Sequence, residues 1–208
     1  MRFADAQAVA WHDPWPSEMK IATTVDDEFL LQYLFFRASH GLRSSTPIPE
    51  LEPDPPPSVR HLSRLQRSEW DAAWDQGWRD LWAWRSRLDG CRNTGTLQGL
   101  FTRIGKPPLW PMERGAYFDR DAFSAWKDTL IDADRSRAAR ERPENRFVAE
   151  LASAWRRGLH EIVVLPYRGE FYRSVGGFAL ELSRTSYLSP TSFPAALAEF
   201  GVSRLRYA

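Results

Sequence analysis

Histidine and cysteine, the residue types most often used for metal, nucleophilic and neutral-pH acid–base chemistry, are few in this chain and widely spaced. Its four histidines, His12, His40, His61 and His160, make none of the HxH, HxxxH or HExxH spacings that bring two ligands to one ion. Cys91 is the single cysteine, so no disulfide can close within the chain, and a thiolate cage would need other ligand types or other chains. There is no GxSxG elbow, no Ser-x-x-Lys with its companion motifs and no cysteine-protease context around Cys91. Ser174-Val175-Gly176-Gly177 lacks the following Lys-Ser/Thr and helix start of a phosphate cradle, which disfavours nucleotide hydrolysis. Neither a metal nor a cofactor is called for. Two adjacent acid–base pairs remain. His12-Asp13 lies in the loop at residues 11–16, and His160-Glu161 opens a predicted strand whose alternation should send the two side chains to opposite faces.

Recognition chemistry is better represented. Pro166-Tyr167-Arg168-Gly169-Glu170-Phe171-Tyr172-Arg173 interleaves aromatic rings with arginine beside a turn, and Tyr and Arg are the residue types that dominate binding hot spots. Tyr167, Arg168, Glu170, Tyr172 and Arg173, joined by Arg184 just after the last strand, form the candidate binding surface. Together they could clamp a carboxylate, a phosphate or an acidic partner loop. The plainer alternative is a hairpin turn with exposed polar side chains. Trp70, Trp74, Trp78 and Trp82 recur every fourth residue. Each step of four advances roughly 40° around a helix, so they make a stripe about 120° wide. Such a stripe is either an aromatic platform or a core face; the core reading is favoured because helices turn their broadest apolar stripe inward. Trp84 falls off the stripe and is expected to be exposed.

The elements that must position these residues follow from periodicity and punctuation. Residues 19–25 are rich in β-branched side chains and closed by Asp26-Asp27, predicting a strand that runs into a helix cap. Helical spacing of Phe29, Leu30, Tyr33, Leu34 and Phe36 predicts a helix ended by Gly41. Six prolines between residues 46 and 57 exclude a helix interior or central strand and predict an extended connector. Ser68-Glu69-Trp70-Asp71 reads as a capping box that starts a long Trp-rich helix stopping at Asp89-Gly90. Residues 91–115 read as a loop-rich connection. Asp119 or Asp121 caps a helix carrying Phe123, Trp126 and Leu130, Pro143 breaks it, and a further helix with Leu151 and Trp155 stops near Gly158. Residues 160–166, 171–175 and 178–183 are β-like, and Gly176-Gly177 is a two-residue hairpin signal; an antiparallel meander is the simplest topology. Phe193, Leu197 and Phe200 give a final helix its apolar face before Gly201.

Bulk properties narrow the class. The chain has 208 residues and 24.0 kDa, with no composition break, so one domain spanning residues 1–208 is expected. Burying roughly 70% of the unfolded chain's surface, it can build a core without covalent staples. Lys and Arg (28) nearly balance Asp and Glu (27), which argues against the one-signed field of nucleic-acid or anionic-membrane proteins. Residues 132–146 hold five arginines but also four acids. Arginine outnumbers lysine 25 to 3, an excess that GC-rich coding produces without functional pressure. No signal peptide and no apolar run long enough to span a bilayer is visible, so a cytoplasmic location is expected.

The fold class expected is α+β: a helical layer led by the Trp-rich helix, packed on a small, mainly antiparallel sheet that includes a C-terminal meander. The function expected is that of a non-catalytic protein-binding or accessory subunit of a bacterial intracellular assembly, with another protein as partner. The alternative is an enzyme, a hydrolase or transferase, built on carboxylates and arginine such as Asp119, Asp121, Glu170 and Arg168.

Overall fold

The computed structural model describes residues 16–90, 102–135 and 142–202. His12-Asp13, Cys91, Arg137 and Arg140 lie outside the described residues. Strand β1 (Ala22–Val25) ends on Asp26, which takes the left-handed conformation (φ 55°), and Asp27 then caps helix α1 (Glu28–His40) by accepting from the Leu30 N–H at 3.1 Å. Gly41, at φ 58°, terminates it as expected. The long helix α2 (Arg64–Asp89) stops where expected but starts earlier than Ser68. Its cap is Ser63, in a reciprocal box with Gln66, and the first turn is largely exposed, so the apolar period that begins at Trp70 gives no sign of it. A short helix α3 (Trp110–Glu113) precedes α4 (Arg120–Arg135), capped by Asp119 through the Ala122 N–H. A 3-10 turn (Pro143–Asn145) leads to α5 (Val148–Arg156), then strands β2 (Glu161–Leu165), β3 (Tyr172–Val175) and β4 (Ala179–Ser183), and the short helices α6 (Arg184–Leu188) and α7 (Ser192–Glu199). Helix α6 has no apolar period to announce it; Ser183 caps it through the Ser186 N–H.

The protein is α+β, and its sheet is mixed rather than mainly antiparallel. The order is β1-β2-β4-β3, with β2 parallel to both neighbours and only β3 and β4 antiparallel. The expected meander is therefore corrected: the three C-terminal strands are not paired in sequence order. Residues 166–171 carry the chain past the β4 position, and a three-residue turn, Gly176-Gly177-Phe178, one longer than expected and with both glycines left-handed (φ 58° and 72°), brings β4 back into the gap. Helices cover both faces of this sheet, not one. Ile162, Val164, Leu180 and Leu182 pack against Leu151, Phe193 and Leu197 on one side, while Val163, Leu165 and Ala179 meet α1 and α2 on the other. Glu-Ile-Val-Val-Leu in β2 is the near-continuous apolar run that two-sided burial of parallel strands selects.

The tryptophan stripe is core. Trp70, Trp74, Trp78 and Trp82 are all buried; Trp74 and Trp78 stack at 5.2 Å, and the Trp74 indole donates to the Tyr33 carbonyl at 2.7 Å. Trp84, expected to be exposed, is buried too, because Phe29 packs edge-on against it and the Gly105 carbonyl accepts from its indole at 3.0 Å. The Pro-rich stretch is a strap laid over the end of β2: Leu51 bridges Tyr167, the Glu52 N–H donates to Pro166, and the Arg168 N–H donates to Glu50. Among the described residues no helix is long and apolar enough to cross a membrane.

Helices α1 and α2 approach closely at Gly77, where an added Cβ would lie 2.7 Å from both Cε1 and the hydroxyl oxygen of buried Tyr33. Gly77→Ala should therefore destabilise the fold by about 1–3 kcal/mol, even though alanine is the better helix former by about 1 kcal/mol. Urea unfolding measures it, and an unchanged or raised midpoint would contradict the packing described.

Candidate binding cleft

Two carboxylates interrupt the apolar strands on the side of the sheet that faces α1 and α2. Glu161 opens β2 and Glu181 sits mid-β4, and the register places both on this face with Val163 and Ala179. Each is matched to a guanidinium from a different element. Arg85, near the end of α2 and 4% exposed, spans Asp27 at 2.5 Å and Glu161 at 2.6 Å, while the Thr24 hydroxyl donates to Glu161 at 3.1 Å. Burial alone would lower the Arg85 guanidinium, but the two carboxylates outweigh it and raise its pKa. Asp27 thus does two things at once, capping α1 with one oxygen and holding Arg85 with the other.

Glu181 is fully buried. The Tyr167 hydroxyl donates to one of its oxygens, and Arg173 Nε donates to the other at 2.5 Å. Burial pushes the Glu181 carboxyl above its ordinary value, opposed by the Arg173 charge and the two hydrogen bonds. Burial and the neighbouring carboxylate likewise raise the Tyr167 hydroxyl. Arg173 leans over Phe171, 6.0 Å from the ring centre, so Arg173 is both partner to Glu181 and part of the molecular surface.

The six residues singled out from the sequence occupy four settings. Tyr167 and Arg173 converge on Glu181. Arg168 holds the strap through Glu50 (2.7 Å) and Asp54 (2.9 Å), and Glu170 is exposed in the turn beside it. Tyr172, on the opposite face of β3, donates to Glu199 at 3.1 Å. Arg184 is buried and ion-paired with Asp26, tying α6 to the turn after β1. Of the groups offered for an enzyme, Asp119 caps α4 and Arg168 holds the strap, so these two are engaged separately. His160 and Glu161 do not diverge: both reach α2, His160 at Asp89 (2.5 Å) and Glu161 at Arg85.

What the sequence reading did not assemble is a cleft of about 440 Å³ between α2 and β3. Trp78, Arg79 and Trp82 form one wall, and Arg173, Ser174 and Gly176 the other. The indole N–H groups of Trp78 and Trp82 are buried and donate to no protein atom. β3 is the edge of the sheet. The Phe171 and Val175 carbonyls accept from Ser183 and Phe178, so the alternation of an antiparallel ladder turns the N–H and C=O of Tyr172 and Ser174 outward, away from β4. The sequence signal that could have pointed here is Glu181, a charge inside the apolar run Ala-Leu-Glu-Leu-Ser, which demands a buried cation nearby.

Comparison with protein-family models, curated proteins and solved structures returned no match to this chain.

Arg85 links α2 to β2 and to the β1–α1 turn, so Arg85→Met should remove about 3–5 kcal/mol of stability by leaving Asp27 and Glu161 buried without their cation. Urea denaturation gives the value, and a loss under about 1 kcal/mol would mean that the pair is solvated. Glu181 makes a pH-dependent contribution of known sign. Its folded pKa lies above the ordinary 4.5, so the folded state binds more protons between the two values. Its contribution is largest below pH 4.5 and is lost as pH rises through the folded value. Stability of the native protein relative to Glu181→Gln should therefore fall as pH is raised from about 4, and a difference that grew with pH would reverse the assignment.

Proposed function

We propose that this protein is a non-catalytic protein-binding subunit whose contact surface is the cleft between α2 and β3, where an extended segment of a partner protein adds to the sheet. The observation that carries the proposal is the open edge of β3: the outward N–H and C=O of Tyr172 and Ser174 have no backbone partner among the described residues. Edges of this kind pair readily with an added strand, and main-chain hydrogen bonds then supply affinity while neighbouring pockets supply specificity. The cleft lies against that edge, and its volume is in the range of ordinary ligand sites, so it can hold side chains of the added strand. Its tryptophan and arginine walls are of the residue types that dominate hot spots.

Ser174→Pro tests the proposal. The residue's N–H points away from β4, so proline removes a donor that the native ladder does not use, and edge positions tolerate it. The variant should keep its circular dichroism spectrum and thermal midpoint. Tagged native and variant proteins, purified from the cells that make them, should differ in one respect: a stoichiometric partner, identified by mass spectrometry and reconstituted from purified components, stays with the native protein and is lost from Ser174→Pro. A partner held equally by both, or none at stoichiometric level, would overturn the edge as the contact.

A further inference from the structure

The cleft is chemically one-sided. Its polar lining consists of the Arg79 and Arg173 guanidiniums and the hydroxyls of Thr46, Ser86 and Ser174; it contains neither Asp nor Glu. Guanidinium groups donate and do not accept. Arg173 uses Nε on Glu181, leaving the two terminal nitrogens of its fork outside that pair. Arg79 donates to the neutral amide of Gln76 at 2.9 Å. Asp75, one turn before Arg79, already accepts from the Ser44 hydroxyl and the Ser45 N–H. The indole N–H groups of Trp78 and Trp82 are buried away from the cleft surface, so the two rings contribute apolar wall. Donors converge here from a helix on one side and an edge strand on the other.

We infer that the segment added to β3 carries an acidic side chain, Asp or Glu, seated between Arg79 and Arg173, with its flanking apolar surface against Trp78 and Trp82. This rests on the strand-addition reading and gives it a specificity. The register supplies the geometry: in an added strand alternate side chains turn to the α2 side of the sheet, the side on which Arg173 lies, while the residues between them turn to the opposite face. The acid therefore sits at one position of the segment, with apolar or neutral residues two places before and after it. A carboxylate between two guanidiniums is the charge-assisted arrangement in which arginine's fixed fork is most selective.

Display of random hexapeptides on phage, selected against the folded protein, reads both layers of the proposal separately. The expected result is enrichment of sequences with β-branched or aromatic residues around a single Asp or Glu. Replacing that acid with Gln or Asn in the selected peptide should weaken binding about tenfold or more by calorimetry, as loss of a charge-assisted hydrogen bond implies. Arg79→Gln should bind the acidic and neutral peptides alike. Arg173→Gln should do the same if it folds; since that change leaves Glu181 without its cation, Arg79→Gln, at an exposed side chain whose hydrogen bond goes to the Gln76 amide, decides the matter where Arg173→Gln unfolds. Enrichment of hydrophobic peptides with no acidic position, lost in Ser174→Pro, would overturn the carboxylate inference and leave strand addition standing. Enrichment insensitive to Ser174→Pro, or none at all, would overturn both.

Discussion

Arg85 is the constraint on which the arrangement of layers depends. A 26-residue helix buried mainly through tryptophans could slide or rotate, because aromatic surfaces tolerate several registers. One guanidinium held by two carboxylates from different elements, Asp27 after β1 and Glu161 at the start of β2, removes that freedom. Its worth is positional more than energetic. Burying three charges costs desolvation that the ion pairs roughly offset, but any register that separates them leaves a buried charge without its partner. The α1 cap, the β1–β2 pairing and the placement of α2 therefore stand or fall together, and Asp27 is the residue common to all three.

The second buried carboxylate has a different consequence because its cation comes from an edge strand. Glu181 is shut in by Tyr167 beneath and Arg173 above, and Tyr167 is itself covered by the strap at Leu51. Arg173 is thereby held at the rim of the cleft by a bond it can hardly leave, since withdrawal would leave Glu181 buried and ionised. Most surface arginines lose side-chain entropy when they engage a ligand; this one is ordered before any ligand arrives. Arg79 lies across the cleft on a rigid helix.

Local structure was legible in the sequence wherever one residue's chemistry decided it. Asp27 and Gly41 bounded α1, Asp119 capped α4, and Gly176-Gly177 made the hairpin, because cap geometry and left-handed backbone are demands on single positions. The sheet order was not legible. Short strands joined by short connections suggest a meander, and nothing in residues 166–171 announces that they pass the place of a strand still to come. The continuous apolar run of β2, against the alternation expected of a sheet with one wet face, was the available sign. Trp84 shows the same limit on a helix: its position around α2 put it off the stripe, and only the packing of Phe29 and residues near Gly105 buries it. The site suffered most. Tyr167, Arg168, Tyr172, Arg173 and Arg184 read as one surface because they are close in sequence, yet strand alternation and burial distribute them among Glu181, the strap, Glu199 and Asp26.

How a chain of near-zero net charge can carry a cleft lined by arginine and no carboxylate follows from this distribution. The carboxylates Glu161 and Glu181 lie inside, each matched at once by a guanidinium, and Asp26 and Asp27 are matched by Arg184 and Arg85. Asp75, one turn before Arg79, is drawn to the loop after α1 by the Ser44 hydroxyl and the Ser45 N–H, and Asp80, next to Arg79, accepts from the Gln76 amide at 2.8 Å. Folding therefore sorts the charges, placing acids where internal donors hold them and leaving the cleft with arginine but no carboxylate in its lining. Charge balance over the whole sequence says little about the sign of one groove. What determines that sign is which cations the folded chain needs for its own buried acids, and Arg79 is paired with none of them.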